Sequence, residues 1–236
     1  MFVEMWRQAM DAIRRRGPDP LVLQQSLSRK IPPEDKIIIG IDVGQVRDYT
    51  ALNALQMTRK EENGRTRGYY TSRLLFRWPL HPGYEVIIED VRQIAGNLPT
   101  LAELVLDATG AGRPVAQMFR RANLPIKCFV PVIITGGNKV TQEPDGYWHV
   151  AKSELVSCVL AVSQSRQLTI STHLREAKTL VKELQEFRSK ININTGNESF
   201  EEWREKDHDD LVFATALALW RAEHFGKRLG PEHFYV

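Results

Sequence analysis

Residues 36–44 read KIIIGIDVG, and this stretch decides the fold. A short run of β-branched residues closed by glycine is typical of a strand buried on both faces of a sheet. Asp42 interrupts that apolar run near its end. Burying an unpaired carboxylate costs several kcal/mol. The Asp42 side chain is therefore expected to reach a solvated strand end or to meet a cation.

The two segments that follow have the composition of strands. They are YTALNALQM (49–57) and GYYTSRLLFRW (68–78). Between them stands Asn63-Gly64, a dipeptide that favours a hairpin turn. The first three strands are therefore predicted to form an antiparallel meander.

The rest of the chain alternates between helices and strands. The sequence predicts a helix over 83–98, a fourth strand over 101–108, a helix over 112–123, a fifth strand over 125–134, helices near 150–164, 174–190 and 208–225, and a short strand over 167–171. A crossover helix between strands three and four permits strand four to lie parallel beside strand one. This order predicts an α/β, ribonuclease H-like fold: a mixed central sheet of three antiparallel strands plus parallel strands, flanked by helices.

The composition is that of an ordinary globular protein. The chain has 236 residues, with 32 Lys+Arg, 29 Asp+Glu and 42% hydrophobic residues, which excludes the disordered, collagen-like and disulfide-scaffold classes. Proline-rich stretches predict an N-terminal helix and linker over 1–35, and a single domain over 36–236. No apolar run approaches the roughly 20 residues that span a bilayer, and no signal peptide is evident, so a cytoplasmic location is expected.

Acidic residues fall where this topology would bring them together. Asp42 lies in strand one, Asp107 ends strand four, and Asp209 with Asp210 opens the last helix. Carboxylates about 4 Å apart repel by roughly 4 kcal/mol per pair at an effective dielectric of about 20. Divalent cations remove that repulsion, and ligands that are all oxygen favour Mg²⁺ or Mn²⁺. Two such ions can activate water and stabilise the leaving oxygen of a phosphodiester.

Each acid also has an ordinary structural interpretation. Asp209 could be an N-cap with Asp210 in the first helical turn, and Asp107 could cap the turn after its strand. The joint pattern favours the metal site. The sequence has no Walker A loop, no Gly-x-Ser-x-Gly elbow and no zinc-ligand spacing of histidines, so it contains no recognisable ATP site.

Three motifs, in this order, resemble the C-terminal nuclease domain of phage terminase large subunits. They are IGIDVGQVRDYTAL (39–52), LVLDATGAGRPV (104–115) and HDDLVFATALALW (208–220). The segment 148–171 is similar to that family's lysine-containing helix and following strand. The resemblance covers roughly residues 36–225. It implies a ribonuclease H-like nuclease that cuts double-stranded DNA with Mg²⁺ or Mn²⁺, two ions being expected.

The resemblance also implies roles for individual residues. The implied catalytic metal ligands are Asp42, Asp107, Asp210 and Asp209, with Asp210 favoured slightly over Asp209. Asp48 matches an additional metal-binding acid at the rim, although it could equally cap a turn. Lys152 matches a lysine near the site, which either contacts a phosphate or extends along its helix to solvent.

Basic residues are the candidates for binding the DNA backbone. A net charge of +3 is too small to indicate a nucleic-acid partner by itself. The positions are more informative: one group lies in 113–127 and another in the predicted hairpin. The DNA-binding candidates are Arg113, Arg120, Arg121, Arg65, Arg67 and Lys152, with Arg73 beside the hairpin group.

Complete terminases carry an ATPase with Walker motifs, which this sequence lacks. The implied partners are double-stranded DNA, a terminase ATPase domain, the small terminase subunit and the portal, in the cytoplasm of a bacterial host and without a membrane. Two alternatives stay open: a RuvC-type resolvase acting on branched DNA, and a ribonuclease H-like DNA-binding module without catalysis. A sugar-kinase or actin-like ATPase is disfavoured because that fold needs two related halves.

Overall fold

The computed structural model describes residues 31–44, 48–109, 112–193 and 209–226. Its strands are β1 (Lys36–Asp42), β2 (Ala51–Glu62), β3 (Arg65–Arg77), β4 (Ala102–Asp107), β5 (Ile126–Thr135), β6 (Val140–Gln142), β7 (Trp148–Ala151) and β8 (Leu168–Ile170). Its helices are α1 (Tyr84–Gly96), α2 (Gly112–Arg121), α3 (Lys152–Gln164), α4 (Ala177–Ile193) and α5 (Asp210–Gly226).

The strands form one mixed sheet in the order β6-β7-β5-β4-β1-β2-β3-β8. Strands β1, β2 and β3 are an antiparallel meander. On the other side of β1, the strands β4, β5 and β7 follow in parallel. The predicted fold class, a ribonuclease H-like α/β fold with a mixed central sheet, is confirmed.

The central strand β1 is buried on both faces, as its continuous apolar run predicts. Because side chains alternate along a strand, Ile37, Ile39 and Ile41 pack in one core with α1 and α2. Ile38 packs in the other core, with α3 and α5. The sheet is therefore the middle layer between two layers of helices.

The β2–β3 hairpin turns at the predicted dipeptide. Asn63 and Gly64 have φ angles of 52° and 73°, and two successive left-handed residues are what a two-residue type I′ turn requires. The turn sets the register from Glu62 and Arg65 as far as Leu55 and Ser72, and an irregularity of one residue before Ala54 then places Ala51 opposite Arg77 at the far end of the two strands.

The strands β6 and β7 were not predicted. They are three and four residues long, too short to show a period of two. In addition, the apolar residues of β7 run directly into helix α3, which begins at Lys152 rather than near 150. Periodicity alone merges such a strand with the helix that follows it.

The predicted N-terminal helix lies outside the described residues. Of the predicted linker, Ile31 packs in the core beneath α1 and α2. Asp35 is buried and accepts hydrogen bonds from Gln56 and from Thr58, the latter at 2.6 Å. The domain boundary at residue 36 stays a prediction, but packed structure extends at least five residues before it.

Helix α5 lies unusually close to β1. A Cβ atom added to Gly40 would stand 2.0 Å from the carbonyl oxygen of Ala214. Asn53, which faces Gly40 across the β1–β2 ladder, donates from Nδ2 to Thr215 Oγ1 at 2.9 Å and to Ser72 Oγ at 3.1 Å. Glycine on one strand and a buried amide on the next therefore fix α5 against the middle of the sheet.

Candidate functional site

Asp42 and Asp107 end two neighbouring parallel strands. In the β1–β4 register Ile41 faces Leu106, so the aspartates occupy the next pair of positions, on strands about 4.8 Å apart. Asp107 is 2% exposed, and its Oδ1 accepts a hydrogen bond of 2.7 Å from the Thr109 amide. Asp107 thus does cap the turn after β4, as its structural interpretation predicts, and it also stands beside Asp42.

The start of helix α5 lies at the same edge of the sheet. Leu211 and Val212 pack in a cluster with Ala51, and Ala51 is the residue that faces Asp42 on β2. Asp209 and Asp210 are each 5% exposed. The structure therefore brings the first turn of α5 and its two acids to the strand end that carries Asp42.

Asp209 is the N-cap residue by its backbone only. Its carbonyl oxygen accepts the Phe213 amide at 3.0 Å. The amides of Leu211 and Val212, which an N-cap side chain would bind, instead donate to Oε2 of Glu183 at 3.0 and 3.1 Å. Capping of α5 is therefore performed by a residue of α4, and not by the Asp209 carboxylate.

Glu183 was not among the residues predicted from sequence. It is 4% exposed, although it lies in a helix that otherwise shows polar residues at its surface. Its one local signal is spacing: Glu183 follows Leu180 by three residues and precedes Leu184, and both leucines pack in the core. An acid on the apolar stripe of a helix calls for a buried partner.

The environment of Glu183 favours its neutral form. Burial is the main cause, and the negative charges of Asp210 and Asp209 add to it. The Val212 amide and Arg77 act in the opposite direction. The result is that the pKa of Glu183 rises from 4.5 to about 8. Glu183, Asp209 and Asp210 thus place three carboxyl groups in this corner of the protein.

Arg77 is a cation at the edge of the site that was also not predicted. It ends β3 and faces Ala51 in the β2–β3 register. Its Nη1 lies 3.9 Å from Glu183 Oε1 and its Nη2 lies 4.0 Å from Glu176. Its guanidinium stacks 4.4 Å from the centre of the Tyr49 ring. Arg77 thus joins β3 to helix α4 beside the acids.

Lys152 begins α3 directly after β7, whose carboxyl end lies at the same sheet edge as those of β1, β4 and β5. Its Nζ lies 5.5 Å from the centre of the Phe213 ring, in the first turn of α5. Lys152 is 8% exposed, which disfavours the interpretation that it merely extends to solvent.

Asp48 is exposed in the loop after β1, with its backbone against Gly44. This position lies at the rim of the site.

Two of the predicted DNA-binding arginines hold a hairpin in place. Arg113 forms ion pairs with Asp145, at 2.6 Å, and with Glu143. Arg120 donates to the carbonyl oxygen of Asp145 at 2.8 Å. The guanidinium groups of Arg113 and Arg120 both stack on the Tyr147 ring. These contacts attach the β6–β7 hairpin to α2.

The other predicted arginines are exposed, and the hairpin pair is far from the acids. Arg121, Arg65 and Arg67 are exposed, with Arg67 at 3.8 Å from Glu62. Arg67 faces Lys60 on β2, nine residues along the strand from Ala51, a distance of about 30 Å. Arg73, in β3, donates to Gln56. The structure therefore does not bring Arg65 and Arg67 to the carboxylate edge.

The acids supply only oxygen donors, which is the ligand type of hard divalent cations. Within residues 31–44, 48–109, 112–193 and 209–226, however, no group of three or more His, Cys, Asp or Glu side chains stands close enough to hold a metal ion. The structure thus gathers the predicted positions at one edge without closing a ligand set.

No family model matches the sequence, and no curated protein does. Among the described residues, no helix is both long and apolar enough to cross a bilayer. The chain is similar to the solved crystal structure of the large terminase nuclease from thermophilic phage G20c, with 18% identity, coverage of 79% of this chain and 82% of that chain, and a TM-score of 0.49.

Proposed function

We propose that this chain is a metal-dependent endonuclease that cuts double-stranded DNA, of the terminase nuclease type suggested by its three motifs. One observation carries the proposal. Half-buried Asp42 at the end of β1, buried Asp107 at the end of β4 and the two buried acids at the start of α5 lie at a single edge of the sheet, on three elements that pack against one another.

The balance of charge at this edge favours binding of cations. Asp42, Asp107, Asp209 and Asp210 are accompanied by the cations of Lys152 and Arg77. Carboxylates that approach one another repel, and a divalent ion relieves that repulsion. We infer that the aspartates hold Mg²⁺ or Mn²⁺, two ions being expected, once their side chains turn toward a shared centre. When bound, such ions activate a water molecule and stabilise the leaving oxygen of a phosphodiester.

The protein's own residues would then position the DNA backbone. Asp42 lies between β4 on one side and the start of α5 on the other, so it is the acid best placed to serve both halves of the site. Lys152 offers a buried positive charge beside the first turn of α5. We infer that Lys152 contacts the phosphate at the scissile bond, since a point charge suits a phosphate oxygen.

A non-catalytic DNA-binding module is the second candidate. It is favoured by the lack of a closed ligand set within the described residues. In that case the aspartates would contribute to the fold only, for example through the turn that Asp107 caps. The two candidates differ in one measurable property, which is cleavage.

Supercoiled plasmid incubated with the purified protein and Mn²⁺ is expected to become nicked and then linear. The same reaction with Mg²⁺ should cut more slowly or equally, and EDTA should stop it, because the aspartates need a cation to assemble. Agarose gels of a time course provide the measurement. Intact plasmid in all three conditions would contradict the endonuclease and support the binding module.

The shape of the substrate separates the terminase type from a RuvC-type resolvase. We expect linear duplex and a four-way junction of equal length to be cut at similar rates. A marked preference for the junction would favour the resolvase instead. The ATPase domain, small subunit, portal and host cytoplasm implied by the resemblance are part of this proposal.

A further inference from the structure

We propose that Glu183 is a positioning residue: it holds the first turn of α5 so that Asp209 and Asp210 face the ends of β1 and β4. The assignment rests on the proposed function in one respect, namely that these aspartates bind metal. The anchoring of the helix does not depend on it and can be measured separately.

The hydrogen bonds of Glu183 are made to the backbone of the helix start. An α-helix leaves its first amides without partners inside the helix, and Glu183 Oε2 accepts two of them, from Leu211 and Val212. These amides belong to the residues directly after Asp210. Glu183 therefore fixes the position of the backbone from which both aspartates project.

Arg77 connects this anchor to the sheet. Its Nη1 lies 3.9 Å from Glu183 Oε1, and its own backbone is paired with Ala51, which faces Asp42. A chain of contacts thus runs from β1 through β2 and β3 to Arg77, then to Glu183 and the start of α5. It couples the placement of Asp42 to that of Asp209 and Asp210.

A direct role of Glu183 as a metal ligand is the competing explanation, and the glutamine variant distinguishes the two. In the structure a single oxygen of Glu183, Oε2, accepts both amides. Glutamine has nearly the same shape without the charge and keeps one oxygen that can accept both amides. Alanine removes the acceptor, and aspartate keeps the charge but is one methylene too short to reach the amides.

The test compares wild type with Glu183→Ala, Glu183→Asp and Glu183→Gln. The matched control is Glu103→Gln, because Glu103 is also buried and binds the other half of α5, through Arg221 Nε at 2.6 Å. Calorimetric titration with Mn²⁺ measures affinity in the folded proteins. Hydrogen exchange followed by mass spectrometry measures protection of the amides at 211–215.

Glu183→Ala and Glu183→Asp are expected to weaken Mn²⁺ binding about tenfold, the lower end of the range for residues that orient metal ligands, and to lose protection at 211–215. Glu183→Gln should keep both. Glu103→Gln should lower the melting temperature without changing Mn²⁺ affinity. Should alanine not fold, the aspartate variant carries the same comparison.

Unchanged affinity and protection in the alanine or aspartate variant would overturn the assignment. Loss of affinity in Glu183→Gln equal to that in alanine would overturn it as well, in favour of a direct ligand. If wild type itself binds no Mn²⁺, the proposed function fails. The exchange data would still support the anchor if protection is lost, or overturn it if protection is kept.

Discussion

Asp42→Asn is expected to lower the rate of plasmid cleavage by about 10³-fold while the protein stays folded. Asparagine has the shape of aspartate but lacks the charge that holds a divalent ion. Losing about 4 kcal/mol of transition-state stabilisation, a reasonable share of what a metal supplies, corresponds to that factor. Initial cleavage rates in Mn²⁺ buffer provide the measurement, and the melting temperature verifies the fold.

The matched control for this variant is Asp90→Asn. Asp90 is also an aspartate, and at 7% exposed it is buried more deeply than Asp42, but it lies in α1 and accepts a hydrogen bond of 2.7 Å from the Trp78 indole. We expect the Asp90→Asn protein to cleave plasmid at the wild-type rate. An Asp42→Asn protein that cuts within a few-fold of wild type would remove Asp42 from the site.

Gly40→Ala is expected to destabilise the protein by about 3 kcal/mol, since overpacking of a closely fitted contact costs this much. The added methyl group would meet the Ala214 carbonyl oxygen at 2.0 Å, which forces α5 away from β1. For a chain of this length the melting temperature should fall by roughly 6–12 °C. Cleavage should fall too, because α5 carries Asp209 and Asp210. Thermal unfolding and the plasmid assay measure both effects.

Gly137→Ala is the control for this variant. A Cβ at Gly137 meets no atom within 4 Å, so this variant should melt and cleave like wild type. If Gly40→Ala also melted like wild type, helix α5 could not lie against β1 as described, and the placement of its two acids would be wrong.

The parts of the fold that follow from local patterns were predictable. The continuous apolar run of β1 predicted a strand buried on both faces, and Asn63-Gly64 predicted a hairpin that turns at these two residues. The placement of Asp107 beside Asp42 followed from the order of elements, because a crossover helix allows β4 to lie parallel to β1. Each of these features is encoded within a few residues or in the sequence of elements.

Contacts between distant residues were not predictable in this way. Glu183 caps a helix that begins 27 residues later, and no local pattern announces a cap supplied by another helix. Arg113 of α2 pairs with Glu143 and Asp145, which lie in the turn of the β6–β7 hairpin, and the two short strands of that hairpin were not predicted. The distance of Arg67 from the acids depends on the length and direction of β2 and β3, which composition does not give.

The most direct test of the central claim is a crystal structure of the protein grown with Mn²⁺, with anomalous difference maps that locate the ion. We expect anomalous density at the carboxyl ends of β1 and β4, with oxygens of Asp42, Asp107 and at least one of Asp209 and Asp210 within about 2.5 Å of it, a distance typical of oxygen ligands. Well-ordered aspartates at this edge without anomalous density, at millimolar Mn²⁺, would contradict the claim that they form a metal site.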